Sequence, residues 1–128
     1  SRLASWPVKL RLLNPNAPYL QNADLLVAAD CTAFASGVFH KNYLQGRVPI
    51  TFCPKLDQDI NEYVEKLTDI FLKQKINSVT IVRMEVPCCA GTEKIVDAAL
   101  NEAGLELTVR RDIIKASGEI KHSETSYV

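Results

Sequence analysis

Apolar residues in this chain come in short blocks, separated by polar stretches that carry proline and glycine. Leu25-Leu26-Val27-Ala28-Ala29 is unbroken, the pattern of a central strand covered on both faces. Val48-Pro49-Ile50-Thr51-Phe52 predicts a second buried strand, with Pro49 near its start because proline has no N–H to give a ladder. Residues 79–84 predict a third. Residues 6–13 alternate, with Val8, Leu10 and Leu12 on one side and Lys9 and Arg11 on the other, which predicts a half-buried edge strand. Residues 105–114 alternate in the same way and predict a last strand.

Between these blocks the period changes. In residues 57–73, Ile60, Tyr63, Val64, Leu67, Ile70 and Phe71 form an apolar stripe at helical spacing, with Asp57 or Asp59 available as N-cap. Residues 92–103 predict another helix, stopped by Gly104. Residues 32–44 read as a short helical or irregular segment, weakened by Gly37 and closed by Gly46. Asn14-Pro15-Asn16-Ala17-Pro18 is a rigid loop, because each proline fixes φ and biases its predecessor to extended backbone. After Ala116 the chain turns polar and is expected to fray.

Strand–helix alternation implies parallel pairing. The expected fold is α/β: a three-layer α/β/α sandwich with a mostly parallel sheet, Rossmann-like or flavodoxin-like. It forms a single α/β domain over residues 1–116, followed by a polar C-terminal tail over 117–128. Neither G-x-G-x-x-G nor G-x-x-x-x-G-K occurs, so the fold class alone does not license a nucleotide.

Composition narrows the partners. The 128 residues are 47% hydrophobic and 23% charged, with a formal net charge of zero. That is an ordinary globular balance, and it points to neither nucleic acid nor an anionic membrane surface. No apolar run approaches the roughly 20 residues of a membrane span. The start, Ser1-Arg2-Leu3-Ala4, does not read as a signal peptide, and without an initiator Met it suggests a processed chain or an excised piece. A cytoplasmic location is expected, where four cysteines stay reduced and do not form a disulfide scaffold.

Those cysteines are the main chemical signal. Cys31, Cys53 and the pair Cys88-Cys89 each follow a predicted strand. If the strands are parallel neighbours, the thiols gather at the edge where open α/β sheets build their sites. Each cysteine also precedes a predicted helix, whose N-terminus favours thiolate, and Lys55 and Arg83 can add positive charge. Thiolates suit soft metals and iron–sulfur clusters. Pro54 and Pro87 stiffen the backbone beside Cys53 and Cys88, while Ala90 and Gly91 leave room for a bulky group. Adjacent residues of a strand point to opposite faces, so Cys88 and Cys89 reach one metal only if the chain turns there. If only one does, the site has three protein thiolates and an open position, which favours catalysis over simple electron transfer.

Other candidates are weaker. His40 lies between the first two cysteines and can supply a ligand or a proton. His122 falls in the polar tail and has no specific role. Asp57, Asp59, Glu62 and Glu65 read as a capped, solvated helix face. Trp6 and Tyr19 read as packing residues. Four thiolates suit structural zinc as well as iron, and a metal-free thiol enzyme or redox sensor using Cys88 or Cys89 is a third reading.

Several strings carry a resemblance: Trp6-Pro7-Val8, Asn14-Pro15-Asn16-Ala17-Pro18-Tyr19, Ala23-Asp24-Leu25-Leu26-Val27-Ala28-Ala29-Asp30-Cys31, Cys53-Pro54-Lys55-Leu56-Asp57 and Met84-Glu85-Val86-Pro87-Cys88-Cys89. Over residues 2–115 the chain resembles the C-terminal region of iron–sulfur binding, ferredoxin-type proteins of anaerobic bacteria and archaea. Typical members carry an N-terminal module with two ferredoxin-type cysteine motifs, which this sequence lacks. The resemblance implies an iron–sulfur cofactor, 4Fe-4S above all, held by Cys31, Cys53, Cys88 and Cys89. The role it implies is electron transfer or small-molecule redox chemistry, with a redox protein or ferredoxin-type module as partner.

Overall fold

A computed structural model describes residues 1–55, 57, 60–86 and 90–127, without the side chains of 122–127. The apolar run at 25–29 lies within the first strand, β1 (Ala23–Ala29), followed by a one-turn helix, α1 (Thr32–Ala35), and a π-helical turn at His40–Leu44. Then come β2 (Val48–Phe52), α2 (Ile60–Lys73), β3 (Ile76–Met84), α3 (Gly91–Ala103), β4 (Thr108–Ile114) and β5 (Ile120–Tyr127). One sheet holds all five strands in the order β2-β1-β3-β4-β5. The first four run parallel, and β5 pairs antiparallel with β4.

Alternation along the strands divides the core in two. Leu25, Val27, Ile50, Phe52 and Ile81 face a large cluster built with α2 and α3, while Leu26, Ala28, Val82 and Ile114 face a smaller one with Phe39, Tyr43 and Leu44. Helices therefore cover both faces, and the architecture is the expected three-layer α/β/α sandwich. β1 is flanked by β2 and β3 and is buried on both faces, as its unbroken apolar run requires. Gly104 ends α3 in the left-handed region at φ 68°, its N–H donating to the Asn101 carbonyl at 3.1 Å.

Three expectations are corrected. Residues 6–13 are not a strand. Lys9 makes an isolated parallel bridge to Thr51, and the chain then coils into a 3-10 turn at Leu10–Leu12. Leu10 and Leu13 are buried while Leu12 stands 66% exposed, so burial follows the three-residue period of a turn. Trp6 does not pack either: it is 74% exposed. The tail does not fray. Gly118, at φ 93°, reverses the chain against the Ala35 carbonyl, and β5 then takes up the open edge of β4. Edge pairing is made by backbone hydrogen bonds and needs no apolar run, which is why polar composition concealed it.

Candidate functional site

The C-terminal ends of β2, β1 and β3 lie side by side. The register pairs Ala29 with Phe52 and Ala28 with Val82, and β3 runs on to Met84. From β1 the chain steps outward to β2 and then crosses back to β3. That reversal makes the crevice between the ends of β1 and β3 the place where open α/β sheets bind ligands.

Cys31 is the second residue past β1. The Thr32 hydroxyl donates to the Ala29 carbonyl at 2.8 Å, turning the chain into α1, and Cys31 occupies the N-cap position with an exposed side chain. Cys53 is the first residue past β2 and is half-buried. A closed pair of bonds shapes its turn: the Cys53 N–H donates to Asp57 Oδ2 at 2.9 Å, and the Asp57 N–H donates to the Cys53 carbonyl at 2.9 Å. Asp57 thus secures the cysteine turn. Cys88 and Cys89 lie outside the described residues, as does Asp59. By sequence the pair belongs to the connection between β3 and α3. The start of α3 is packed against the Cys53 turn: a Cβ placed on Gly91 would lie 2.8 Å from the Pro54 Cβ.

A charged network fills the rim, and it was not legible in the sequence. Lys9 Nζ lies 2.7 Å from Asp30 Oδ2, beside Cys31, and 3.7 Å from Asp57 Oδ2, beside Cys53. The other Asp30 oxygen, Oδ1, is buried with no hydrogen-bond partner among the described residues. The Tyr63 hydroxyl donates to Asp57 Oδ2 at 2.8 Å, and the Arg11 guanidinium lies over the Tyr63 ring, 5.3 Å from its centre. Partial burial works against both charges at the centre of this network. It would lower the Lys9 pKa, but hydrogen bonding and attraction to Asp30, with help from Asp57, raise it overall. It would raise the Asp57 pKa, but the Cys53 N–H, the Tyr63 hydroxyl and the charge of Lys9 bring it below the usual carboxylate value. Lys9 escaped sequence reading because its alternating segment placed it on a solvent face. Only the bridge to Thr51 carries it to the strand ends.

Other expectations resolve differently. Arg83 is engaged by Glu93 at 3.0 Å and by the Met84 carbonyl at 3.1 Å, so its charge is matched within the first turn of α3. The helix dipole expected beside Cys31 is weak, because Cys31 stands at the N-terminus of a helix of only four residues. His40 Nδ1 accepts the Arg2 N–H at 3.1 Å, and the ring lines an apolar cavity of about 160 Å³ with Leu3, Trp6 and Phe39. His122 lies on β5, in register with Ile113. Tyr19 packs against the large core cluster as expected, and Glu62 and Glu65 are solvent-facing. Among the described residues no three His, Cys, Asp or Glu side chains converge as a metal site. Among them, too, no helix is long and apolar enough to cross a membrane.

Residues 17–128 match the family model of the Rossmann-like domain. The chain belongs to the Rossmann-like domain family. The match extends through β5, so the hairpin that closes the sheet is part of this Rossmann-like unit. A protein of Archaeoglobus fulgidus, described as uncharacterized, is 29% identical over 116 residues, spanning 91% of this chain and 81% of the relative. No solved structure gives a significant match.

Proposed function

We propose that this Rossmann-like domain binds an iron–sulfur cluster, 4Fe-4S, at the C-terminal edge of its sheet, with Cys31, Cys53, Cys88 and Cys89 as the thiolate donors. One observation carries the reading: the strands that precede these cysteines are parallel neighbours in the order β2-β1-β3. The donor set fits. Cluster ligation calls for soft thiolates brought together from separate loops, and the ends of β1 and β2 supply one each, at level positions. The contact between Gly91 and Pro54 links the Cys53 turn to the segment that carries the other two. Lys9 pairs with Asp30 beside Cys31 and faces Asp57 beside Cys53.

Such a cluster supplies one-electron redox chemistry. The chain's own residues position it: the reciprocal Cys53–Asp57 bonds fix one donor turn, and the Thr32–Ala29 bond fixes the other. The partner is a redox protein or ferredoxin-type module, and the setting is a reducing cytoplasm. The test is anaerobic reconstitution with ferrous iron and sulfide, followed by iron and sulfide analysis, visible absorption and spin-resonance spectra. Broad visible absorption with bound iron and sulfide is expected, and Cys31→Ser or Cys53→Ser should lower it. Colourless, iron-free protein would overturn the reading. Tight zinc in its place would make the site a structural one, and a metal-free protein with a fast-alkylating thiol would make it a thiol enzyme or sensor.

A further inference from the structure

We infer that Lys9 is a positioning residue that clamps the Cys31 loop to the Cys53 loop. The inference rests on the proposed function for its consequence, while its geometry stands independently. Three contacts converge on this lysine. Its backbone bridges Thr51 in β2, just before the Cys53 turn, where the Thr51 N–H donates to the Val8 carbonyl at 2.8 Å. Its ammonium group lies 2.7 Å from Asp30 Oδ2, one residue from Cys31. The same group lies 3.7 Å from Asp57 Oδ2, the oxygen that accepts the Cys53 N–H.

Neither neighbouring element can substitute for it. β1 and β2 end level, and among the described residues their ladder goes no further than the Ala29–Phe52 pair. With Asp30 Oδ1 buried and unpartnered among the described residues, Lys9 is the contact that compensates this carboxylate. Without Lys9, two carboxylates remain beside two thiols, and repulsion favours moving the Asp30 and Asp57 loops apart. The 3-10 turn at Leu10–Leu12, with Leu10 buried in the large core cluster, anchors the lysine from below. The segment preceding the Rossmann-like match thus completes its site.

The experiment compares wild type, Lys9→Met and Lys9→Arg. On reconstituted protein the readout is the rate of iron loss to a ferrous-iron chelator, with the spin-resonance spectrum as signature. Both Lys9 and Asp30 side chains are about a third exposed, so the effect should be modest: Lys9→Met accelerates iron loss about fivefold and broadens the spectrum, while Lys9→Arg stays near wild type. Loss at the wild-type rate from Lys9→Met would overturn the clamp. If wild type takes up no cluster, the proposed function fails by itself, and the clamp is read on apoprotein instead. In a Cys88→Ser/Cys89→Ser background, a short bismaleimide should cross-link Cys31 to Cys53 more slowly in Lys9→Met than with Lys9 intact, and Lys9→Arg should restore the rate. Equal rates would overturn it. Asp30→Asn removes the same ion pair from the other side and repeats either readout should Lys9→Met fold poorly.

Discussion

Gly91→Ala tests how tightly the start of α3 is fitted to the Cys53 turn. The added Cβ would lie 2.8 Å from the Pro54 Cβ and 3.4 Å from its Cγ. Carbon atoms in good contact sit about 3.5–4.0 Å apart, so the closer approach is short by roughly 1 Å. Pro54 cannot rotate away, because its ring closes on its own backbone. Either the first turn of α3 or the turn carrying Cys53 has to move. Overpacking of this kind costs about 1–3 kcal/mol. Replacing glycine by alanine in a helix returns at most about 1 kcal/mol, and less at the first position. The net is a loss of about 1–2 kcal/mol, which for a domain of this size lowers Tm by about 3–10 °C. Thermal unfolding followed by circular dichroism measures it. Gly37→Ala is the matched control: nothing lies within 4 Å of its Cβ position and its φ is not positive. It should leave Tm unchanged or slightly raised. In the proposed site, Gly91→Ala should also reduce cluster loading, because the displaced elements carry the donors. A Gly91→Ala protein as stable as wild type would show that the packing between α3 and the Cys53 turn is loose, and would remove that support for a shared site.

Two further predictions concern the buried and half-buried charges. Asp112 is 1% exposed and accepts the Tyr43 hydroxyl at 2.7 Å and Arg110 at 2.9 Å. Tyr43→Phe withdraws a donor from a buried carboxylate and should cost about 1.5–3 kcal/mol in urea unfolding, and a loss under about 0.5 kcal/mol would refute that account. Asp57 has a lowered folded pKa, so its contribution is present above the unfolded value of 3.8 and is lost as pH falls through the folded one. The stability gap between wild type and Asp57→Asn should therefore be flat from about pH 7 to 5 and close below about pH 4. A gap that widens on acidification would contradict this sign.

Much of the fold is written in local pattern. The run at 25–29 is too short for a buried helix and reads as a strand covered on both faces, and the stripe from Ile60 to Phe71 reads as an amphipathic helix, because its 3.6-residue period puts those apolar side chains on one face. Segments whose structure depends on distant partners were misread. Residues 6–13 alternate like a strand, yet their path is set by the bridge to Thr51 and by where Leu10 and Leu13 find a core. Residues 120–127 have a solvated composition, yet the unpaired edge of β4 makes them a strand.

The candidate site divides along the same line. By itself the sequence determined that four cysteines follow apolar runs, and the chemistry of thiolates and the spacing of strands made them candidates for one edge. Tertiary structure decided the order β2-β1-β3, which brings the ends carrying Cys31 and Cys53 level. It also decided that Lys9 reaches both loops. Local pattern records which atoms must leave water. Which loops then meet depends on strand order and on long-range contacts, set by the folded chain as a whole.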